Sequence, residues 1–309
     1  SVFLNSDGRK NTGKVIGSIW ETGLVKTFIS AYDAFFPAMD DPETVRFLAS
    51  KAADCGMSNP KASGADIRQN IEEGIILQVY PAVKAAQICG NDGMHQSALA
   101  FAAVVYDTMP ETKEWLDFVF KTGGLARNPY RVTGGNILNS LVANVDRDGH
   151  GNEASPGYNG IWLNQHQLTA DILDGYDLYP EADLYNNPKL RKMFSAFYPL
   201  TLSEAYTANI GDTAKTGNPG ISVKLSDMVK AFDKFGDPIY AQMAYFLNGN
   251  SAENLHGDIF SPEPELIGER IRQAVEKHGP LNLPSVHLSG YGFAALRDGV
   301  SLHAARGEG

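Results

Sequence analysis

Residues 148–166 combine the side-chain types that acid–base chemistry on a charged, polyhydroxylated molecule would need. A carboxylate (Glu153), a phenol (Tyr158), an indole (Trp162) and an imidazole (His166) lie within fourteen positions of one another. Helix formation before Tyr158 is disfavoured by three glycines and a proline, namely Gly149, Gly151, Pro156 and Gly157. The sequence therefore predicts that Tyr158 lies where a loop leads into a helix, a frequent place for a reactive side chain. The alternative is a packed, hydrogen-bonded tyrosine in a capped loop.

Two other loops have a similar character. Gly90–Gln96 ends in His95 and Gln96 at a predicted helix start, and Asn209–Asp212 lies in a glycine-rich loop. In an array of helical hairpins such loops can converge at one end. We therefore predict one cleft lined by Asn91, His95, Gln96, Glu153, Tyr158, Trp162 and Asp212. The alternatives are a His95 that bonds the backbone at a helix start and an Asp212 that only forms a turn.

Several familiar sites are excluded by spacing. Asp146, Asp148 and Glu153 do not fit the twelve-residue calcium loop. The chain has no phosphate-binding glycine loop, no Gly-x-Ser-x-Gly and no His-Glu-x-x-His. The two cysteines, Cys55 and Cys89, indicate neither a disulfide scaffold nor a metal site. We expect no cofactor, and no metal ligands are assigned.

The composition is that of a globular protein large enough for a substantial core. Of 309 residues, 43% are hydrophobic and 20% charged, and the net charge is −10. This charge disfavours a nucleic-acid partner, although a local cluster can still bind an anionic sugar. No apolar run reaches the length of a membrane span, and no signal peptide is visible. We therefore expect no membrane partner.

Helical periodicity dominates as far as residue 278. Ile67, Ile71, Ile75, Val79 and Val83 recur at every fourth position, and Pro81 predicts a kink or break near Val79. Proline, glycine and apolar spacing together predict helices over residues 15–36, 42–54, 66–83, 94–107, 110–122, 134–145, 160–175, 189–198, 225–235, 238–247 and 265–278.

The pattern changes at Pro280. Residues 284–297 alternate like a strand, Asp298-Gly299 is a hairpin signal, and residues 300–304 would form the return strand. The sequence thus predicts a helical domain over residues 1–280, and the first hairpin of a β domain over residues 281–309. Because an isolated hairpin is not stable, it must either join further strands or pack on the helices.

Four motifs together resemble the heparinase II/III-like polysaccharide lyases, in order and spacing, from about residue 65 onward. They are Gly90-Asn-Asp-Gly-Met-His-Gln96, the Asp148-Gly to Glu153-Ala-Ser-Pro-Gly-Tyr158 segment, Asn209-Ile-Gly-Asp212, and Gly290-Tyr-Gly-Phe-Ala-Ala-Leu-Arg297-Asp-Gly. The resemblance implies a mainly α fold, an incomplete (α/α) toroid followed by an antiparallel β-sandwich, of which this chain would hold only the first hairpin. It also implies β-elimination on uronic-acid polysaccharides.

The resemblance further implies roles for individual residues. Tyr158 would be the catalytic acid, and also the base when proton and leaving group share one face. Catalytic His95 and Asn91 would neutralise the uronate carboxylate, with Glu153 a further candidate. Substrate would also be bound by Gln96, Trp162 (stacked on a sugar ring), His166 and Asp212. In the family, a Gly-His-x-His-like strand of the sandwich supplies another histidine. That second base, and any metal of the sandwich, are not assigned to residues of this chain.

The expected partner is an anionic polysaccharide such as heparin, heparan sulfate, alginate or hyaluronan, and the expected location is secreted or periplasmic. Two other functions stay open. One is an (α/α)-toroid glycoside hydrolase that uses Glu153 and Asp212 as its carboxylate pair. The other is a polysaccharide-binding protein without turnover.

Overall fold

The computed structural model describes residues 21–127, 132–134, 136–212 and 220–297. These residues are mainly helical, as the sequence predicts. The α-helices in this part of the chain are α1 (Glu21–Phe35), α2 (Pro42–Asp54), α3 (Gly64–Ile71), α4 (Leu77–Lys84), α5 (Met94–Tyr106), α6 (Glu111–Asp117), α7 (Ile137–Asn144), α8 (Pro156–Leu173), α9 (Pro188–Phe194), α10 (Leu225–Phe235), α11 (Pro238–Leu247) and α12 (Ile267–His278). None of them is both long and apolar enough to cross a bilayer.

Short antiparallel strand pairs interrupt the helices. They are β1 (Leu125–Arg127) with β2 (Val132–Gly134), β3 (Thr201–Leu202) with β4 (Tyr206–Thr207), and β5 (Val286–Leu288) with β6 (Phe293–Ala295). The sequence predicted only helices over residues 1–280, and the two early strand pairs were missed. The two early pairs have strands of only two or three residues, so they close local turns and leave the helical character unchanged.

The chain divides into two compact units. The first contains residues up to Ser140 together with Gln165–Ala182, and the second contains Leu141–Asn164 and the residues from Asp183 onward. Helices α7 and α8 contribute residues to both units. The boundary predicted at Pro280 lies inside the second unit, and whether a sandwich domain begins there stays a prediction.

In the first unit, α5 packs against α1, α4 and α6. The predicted apolar stripe is only partly buried, because Ile71 and Ile75 stay half-exposed while Ile76 is fully buried. A strict four-residue spacing drifts by about 40° per step on an α-helix, and a π-helical turn at Glu72–Ile76 changes the phase. The break predicted near Val79 is absent. The helix α4 continues from Leu77 through Pro81 to Lys84, and the alternative of a kink there stays a prediction.

In the second unit, α10, α11 and α12 pack in succession, and α9 contacts α10. The strands β5 and β6 both fall within the stretch predicted to be a single strand, so that prediction is wrong. The turn lies at residues 289–292, where the amide of Gly292, with φ +79°, donates to the carbonyl of Leu288 at 2.7 Å. The predicted turn at 298–299 and the return strand lie outside the described residues.

The β5–β6 hairpin is fastened to the rest of the second unit. The guanidinium of Arg297 donates to the carbonyls of Pro199 and Thr201 at 2.7 and 2.8 Å, and to that of Pro284 at 2.6 Å. Of the two alternatives for stabilising this hairpin, the described residues show packing on the helical unit.

Candidate functional site

Tyr158 lies in the first turn of α8, which begins at Pro156 and not near Gly160. The prediction that no helix forms before Tyr158 is therefore wrong by two residues, whereas Tyr158 does lie where a loop leads into a helix. Proline suits the first helical position, because its fixed φ is helical. The N–H that proline lacks would have no acceptor within the helix at this position. The amide of Asn159 donates to the carbonyl of Ser155 at 3.0 Å and starts the helical bonding.

The side chain of Tyr158 is accessible, with 37% of the residue exposed. Its hydroxyl has no hydrogen-bond partner among the residues that the structure describes. The hydroxyls of Tyr32, Tyr176 and Tyr179 differ, since each donates to a carboxylate. Tyr158 is thus placed to donate to a molecule that arrives from solvent.

The start of α8 is anchored by the other predicted segments of the second unit. The hydroxyl of Ser155 donates to the main-chain carbonyl of Asp212, and the side-chain amide of Asn159 donates to the carbonyl of Glu153 at 2.8 Å. Gly211 has φ +62°, and a Cβ there would lie 3.3 Å from the Ser155 nitrogen. Two segments that are 57 positions apart in sequence therefore meet, although Asp212 contributes its backbone to this contact and its side chain is not part of it.

Trp162 belongs to the core of the second unit. It is 4% exposed, and a Cβ on Gly151 would lie 2.7 Å from its indole ring. The predicted stacking on a sugar ring requires an exposed ring face, and the structure offers none at this residue.

A cavity of about 650 Å³ opens in the second unit beside the loop before α8. Its walls include two amide, two carboxylate and two aromatic side chains, contributed by Asn144, Asn152, Asp146, Glu153, Tyr291 and Phe293. This volume lies in the range of small-molecule sites. Glu153 is thus a cavity residue, consistent with its predicted contact with substrate.

In the first unit, the Gly90–Gln96 segment enters α5 through a tight turn. Gly93 has φ +87°, and a Cβ there would lie 2.6 Å from Cβ of Gln165, so glycine is required. His95 and Gln96 follow in the first helical turn and are each 1% exposed, while Asn91 is half-buried.

Asp92 is the centre of a buried hydrogen-bond network in this unit. Its carboxylate accepts from the Gln96 amide at 3.2 Å and from the Ser140 hydroxyl, and it bonds Nε2 of His166 at 3.1 Å. Burial by itself would raise the pKa of Asp92. The bonds from His166 and Ser140, with the attraction of His166 and His95, outweigh this effect and hold that pKa below its usual value.

This network changes the interpretation of two predicted site residues. Gln96 and His166 are buried and bonded to Asp92, so they hold the Gly90–Gln96 segment and do not present a surface to a polymer. Asn91 and His95 belong to the first unit and Tyr158 to the second. Their predicted convergence in one cleft stays a prediction.

A lysine that sequence reasoning missed lies in the first unit. Nζ of Lys26 donates to Oγ of Ser97 at 3.0 Å and to Oε1 of Gln165. Burial lowers the pKa of Lys26 to about 8. The partners are 71 and 139 positions away in the sequence, so no local pattern could have identified them.

Comparison with known proteins adds no relative: no protein-family model matches the chain, and no curated protein matches it. Within the described residues, no group of three or more histidine, cysteine, aspartate or glutamate side chains is placed to hold a metal ion.

Proposed function

We propose that this chain is a polysaccharide lyase that cleaves a uronic-acid-containing polysaccharide by β-elimination. The observation that supports this most is the exposed Tyr158, with no described hydrogen-bond partner, on a helix start anchored by the Glu153 and Asp212 segments. The proposal includes the toroid-and-sandwich architecture, with which the mainly helical structure is compatible. It also includes a secreted or periplasmic location, as the resemblance implies.

In this reaction a base removes the proton on the carbon next to the uronate carboxylate, and the 4-linked sugar oxygen leaves. Tyr158 donates its phenolic proton to that leaving oxygen. Tyrosine side chains ordinarily have a pKa of about 10, which suits an acid better than a base at neutral pH. Where proton and leaving group share a face, Tyr158 would have to start as a phenolate, which requires a cationic neighbour, and would then take the proton and pass it to the leaving oxygen.

Removal of that proton also requires that the uronate carboxylate be neutralised, because negative charge moves onto it. Asn91, which is half-buried, supplies the amide for this purpose, and His95 supplies the imidazole, which is 1% exposed and has to become accessible when the polymer binds. Asp92 fixes the segment that carries them through its bonds to Gln96, Ser140 and His166. Glu153 binds a sugar hydroxyl from the cavity beside α8, and Asp212 fixes the loop.

The test is the formation of unsaturated uronate, followed by its ultraviolet absorbance, with several uronate polymers as substrates. Tyr158→Phe removes one hydroxyl without a described partner, so the fold should survive. Loss of general acid catalysis should lower the rate about 10²- to 10⁴-fold. The matched control is Tyr206→Phe in the same unit, because Tyr206 is 38% exposed against 37% for Tyr158. His95→Ala should weaken both binding and turnover.

The outcomes separate the proposal from its alternatives. A Tyr158→Phe enzyme that keeps more than about a tenth of the wild-type rate would remove Tyr158 from the acid role. New reducing ends without ultraviolet absorbance would indicate a glycoside hydrolase, with Glu153 and Asp212 as its carboxylates. Binding of the polymer without any product would indicate a non-catalytic protein.

A further inference from the structure

The turn of the β5–β6 hairpin docks on the loop that leads to Tyr158, within the second unit. Oδ2 of Asp148 accepts from the backbone amides of Gly290 and Tyr291 at 2.6 and 3.2 Å. The approach is close, since a Cβ on Gly290 would lie 2.9 Å from both Oδ2 of Asp148 and Cγ of Arg147. Glycine at this position lets the turn reach the carboxylate.

Tyr291 then holds the loop at two points. Its ring stacks on the imidazole of His150, with centroids 3.8 Å apart and planes 11° from parallel. Its hydroxyl donates to the carbonyl of Ala154. His150 is fully buried, and burial lowers its pKa against the opposing pull of Asp146 and Asp148, which favours the neutral ring that stacks on Tyr291. One side chain thus fixes both ends of residues 150–154.

This loop runs directly into the start of α8. Ala154 is followed by Ser155, whose hydroxyl is bonded to the carbonyl of Asp212, and Tyr158 comes three residues later. We propose that Tyr291 is a positioning residue for Tyr158: it clamps residues 150–154 so that the phenol is presented in one orientation. This inference rests on the proposed function. Tyr291 takes no part in the proton transfer itself, since its hydroxyl and one ring face are engaged within the protein.

The kinetic test uses graded variants of Tyr291 in the whole chain. Tyr291→Leu removes both the stack and the hydrogen bond, and kcat should fall about 10- to 100-fold, because proton transfer tolerates little displacement. Tyr291→Phe keeps the stack, so kcat should fall only about 3- to 10-fold, the equivalent of one hydrogen bond. The KM should stay within about twofold in Tyr291→Phe, which keeps the ring in the cavity wall, since a positioning residue acts on turnover and not on ground-state binding.

The control is Tyr176→Phe in the first unit, which loses a bond from a tyrosine hydroxyl to Asp107 at 2.5 Å. It should leave kcat unchanged. A purely structural effect of Tyr291 would lower thermal stability and the active fraction, and the rate would recover on cooling. A kcat loss that persists at low temperature therefore supports positioning. If the Tyr291 variants have the same kcat as Tyr176→Phe, the proposed positioning role of Tyr291 is refuted.

A second measurement needs no substrate. Amide hydrogen exchange of residues 148–158 should be faster in Tyr291→Leu and in Gly290→Ala than in wild type, and unchanged in Tyr158→Phe. If this exchange does not change, the clamp is refuted. If wild type forms no unsaturated product, the proposed function fails, while exchange still decides whether Tyr291 holds the loop. Should Tyr291→Leu fail to fold, Tyr291→Phe and Gly290→Ala decide both measurements.

Discussion

Replacing Asp92 with alanine should destabilise the first unit by about 3–5 kcal/mol, because three buried partners lose the acceptor that they share. The carboxylate is 6% exposed and has three partners, Gln96, Ser140 and His166. Each buried donor left without an acceptor costs roughly 1–3 kcal/mol. The loss of all three bonds would therefore cost at least about 3 kcal/mol. The total stays below the full sum of the three costs, because the side chains relax after the substitution.

The assay is urea unfolding at pH 7, followed by circular dichroism. The matched control is Asp40→Ala in the same unit. The carboxylate of Asp40 also accepts two hydrogen bonds, from Arg68 at 3.0 and 2.9 Å, but its side chain is 63% exposed. Water can replace those bonds, so its loss should be far smaller. Equal losses in the two variants would refute the idea that burial makes the Asp92 network essential.

Acid gives an independent check on the same carboxylate. The pKa of Asp92 is depressed in the folded protein, whereas an unfolded aspartate titrates near about 3.9. Between the folded and the unfolded pKa of Asp92, the folded state therefore binds fewer protons than the unfolded state. The stabilisation is complete above about pH 4 and is lost as the pH falls through the folded pKa. Asp92→Asn should lose stability less steeply than wild type on acidification, and parallel curves would contradict the assignment.

Two other predictions concern the first unit. The pKa of Lys26 is lowered to about 8, so the folded state binds fewer protons between about pH 8 and the unfolded value of about 10.4. The urea midpoint should therefore rise with pH across that window. Lys26→Met should abolish this rise. If the rise persists in the variant, another group causes it. Gly93→Ala should cost about 1–3 kcal/mol more than Gly56→Ala. Both glycines have positive φ, but only a Cβ at Gly93 meets a neighbour within 4 Å. Thermal unfolding compares the two, and equal costs would show that Gln165 yields freely.

Local signals predicted the helices well where proline begins them. The bounds of α2 and α11 agree with the sequence, because Pro42 and Pro238 occupy first-turn positions where proline is favoured. The same rule was missed at Pro156, where Gly151 and Gly157 suggested a loop. The π-helical turn at Glu72–Ile76 could not be predicted, since it depends on which isoleucine the core accepts.

The hairpin shows how a tertiary contact decides between two local signals. Asp298-Gly299 has the composition of a tight turn, but residues 289–292 also contain two glycines. In the structure the latter form the turn, where Asp148 accepts their amides from more than 140 positions away. Residues 284–299 alone therefore cannot show which of the two candidate turns forms, because the carboxylate that decides it belongs to Asp148. The sequence therefore identifies a hairpin here but not its register.

The polar residues chosen from the sequence differ in exposure more than in chemistry. Gln96, His166 and Trp162 have groups suited to binding sugars, yet all three are buried. Gln96 and His166 are hydrogen-bonded to Asp92. Their partners are not recognisable locally, because Ser140 and His166 lie 48 and 74 positions from Asp92.

Side chains of this kind fix the backbone of a segment so that a neighbour can be presented in a defined position. In the segment that leads into α8, Asp148 and His150 hold the loop to the hairpin, while Ser155 and Asn159 fix the first helical turn. Tyr158 is the member of this segment whose reactive group is both accessible and without a described partner. A hydroxyl that contributes no described bond to the fold, held by neighbours that contribute several, is compatible with the proposed proton donor. Tyr206 is exposed to the same degree, so the rate of Tyr158→Phe against that of Tyr206→Phe decides between this role and that of an ordinary surface tyrosine.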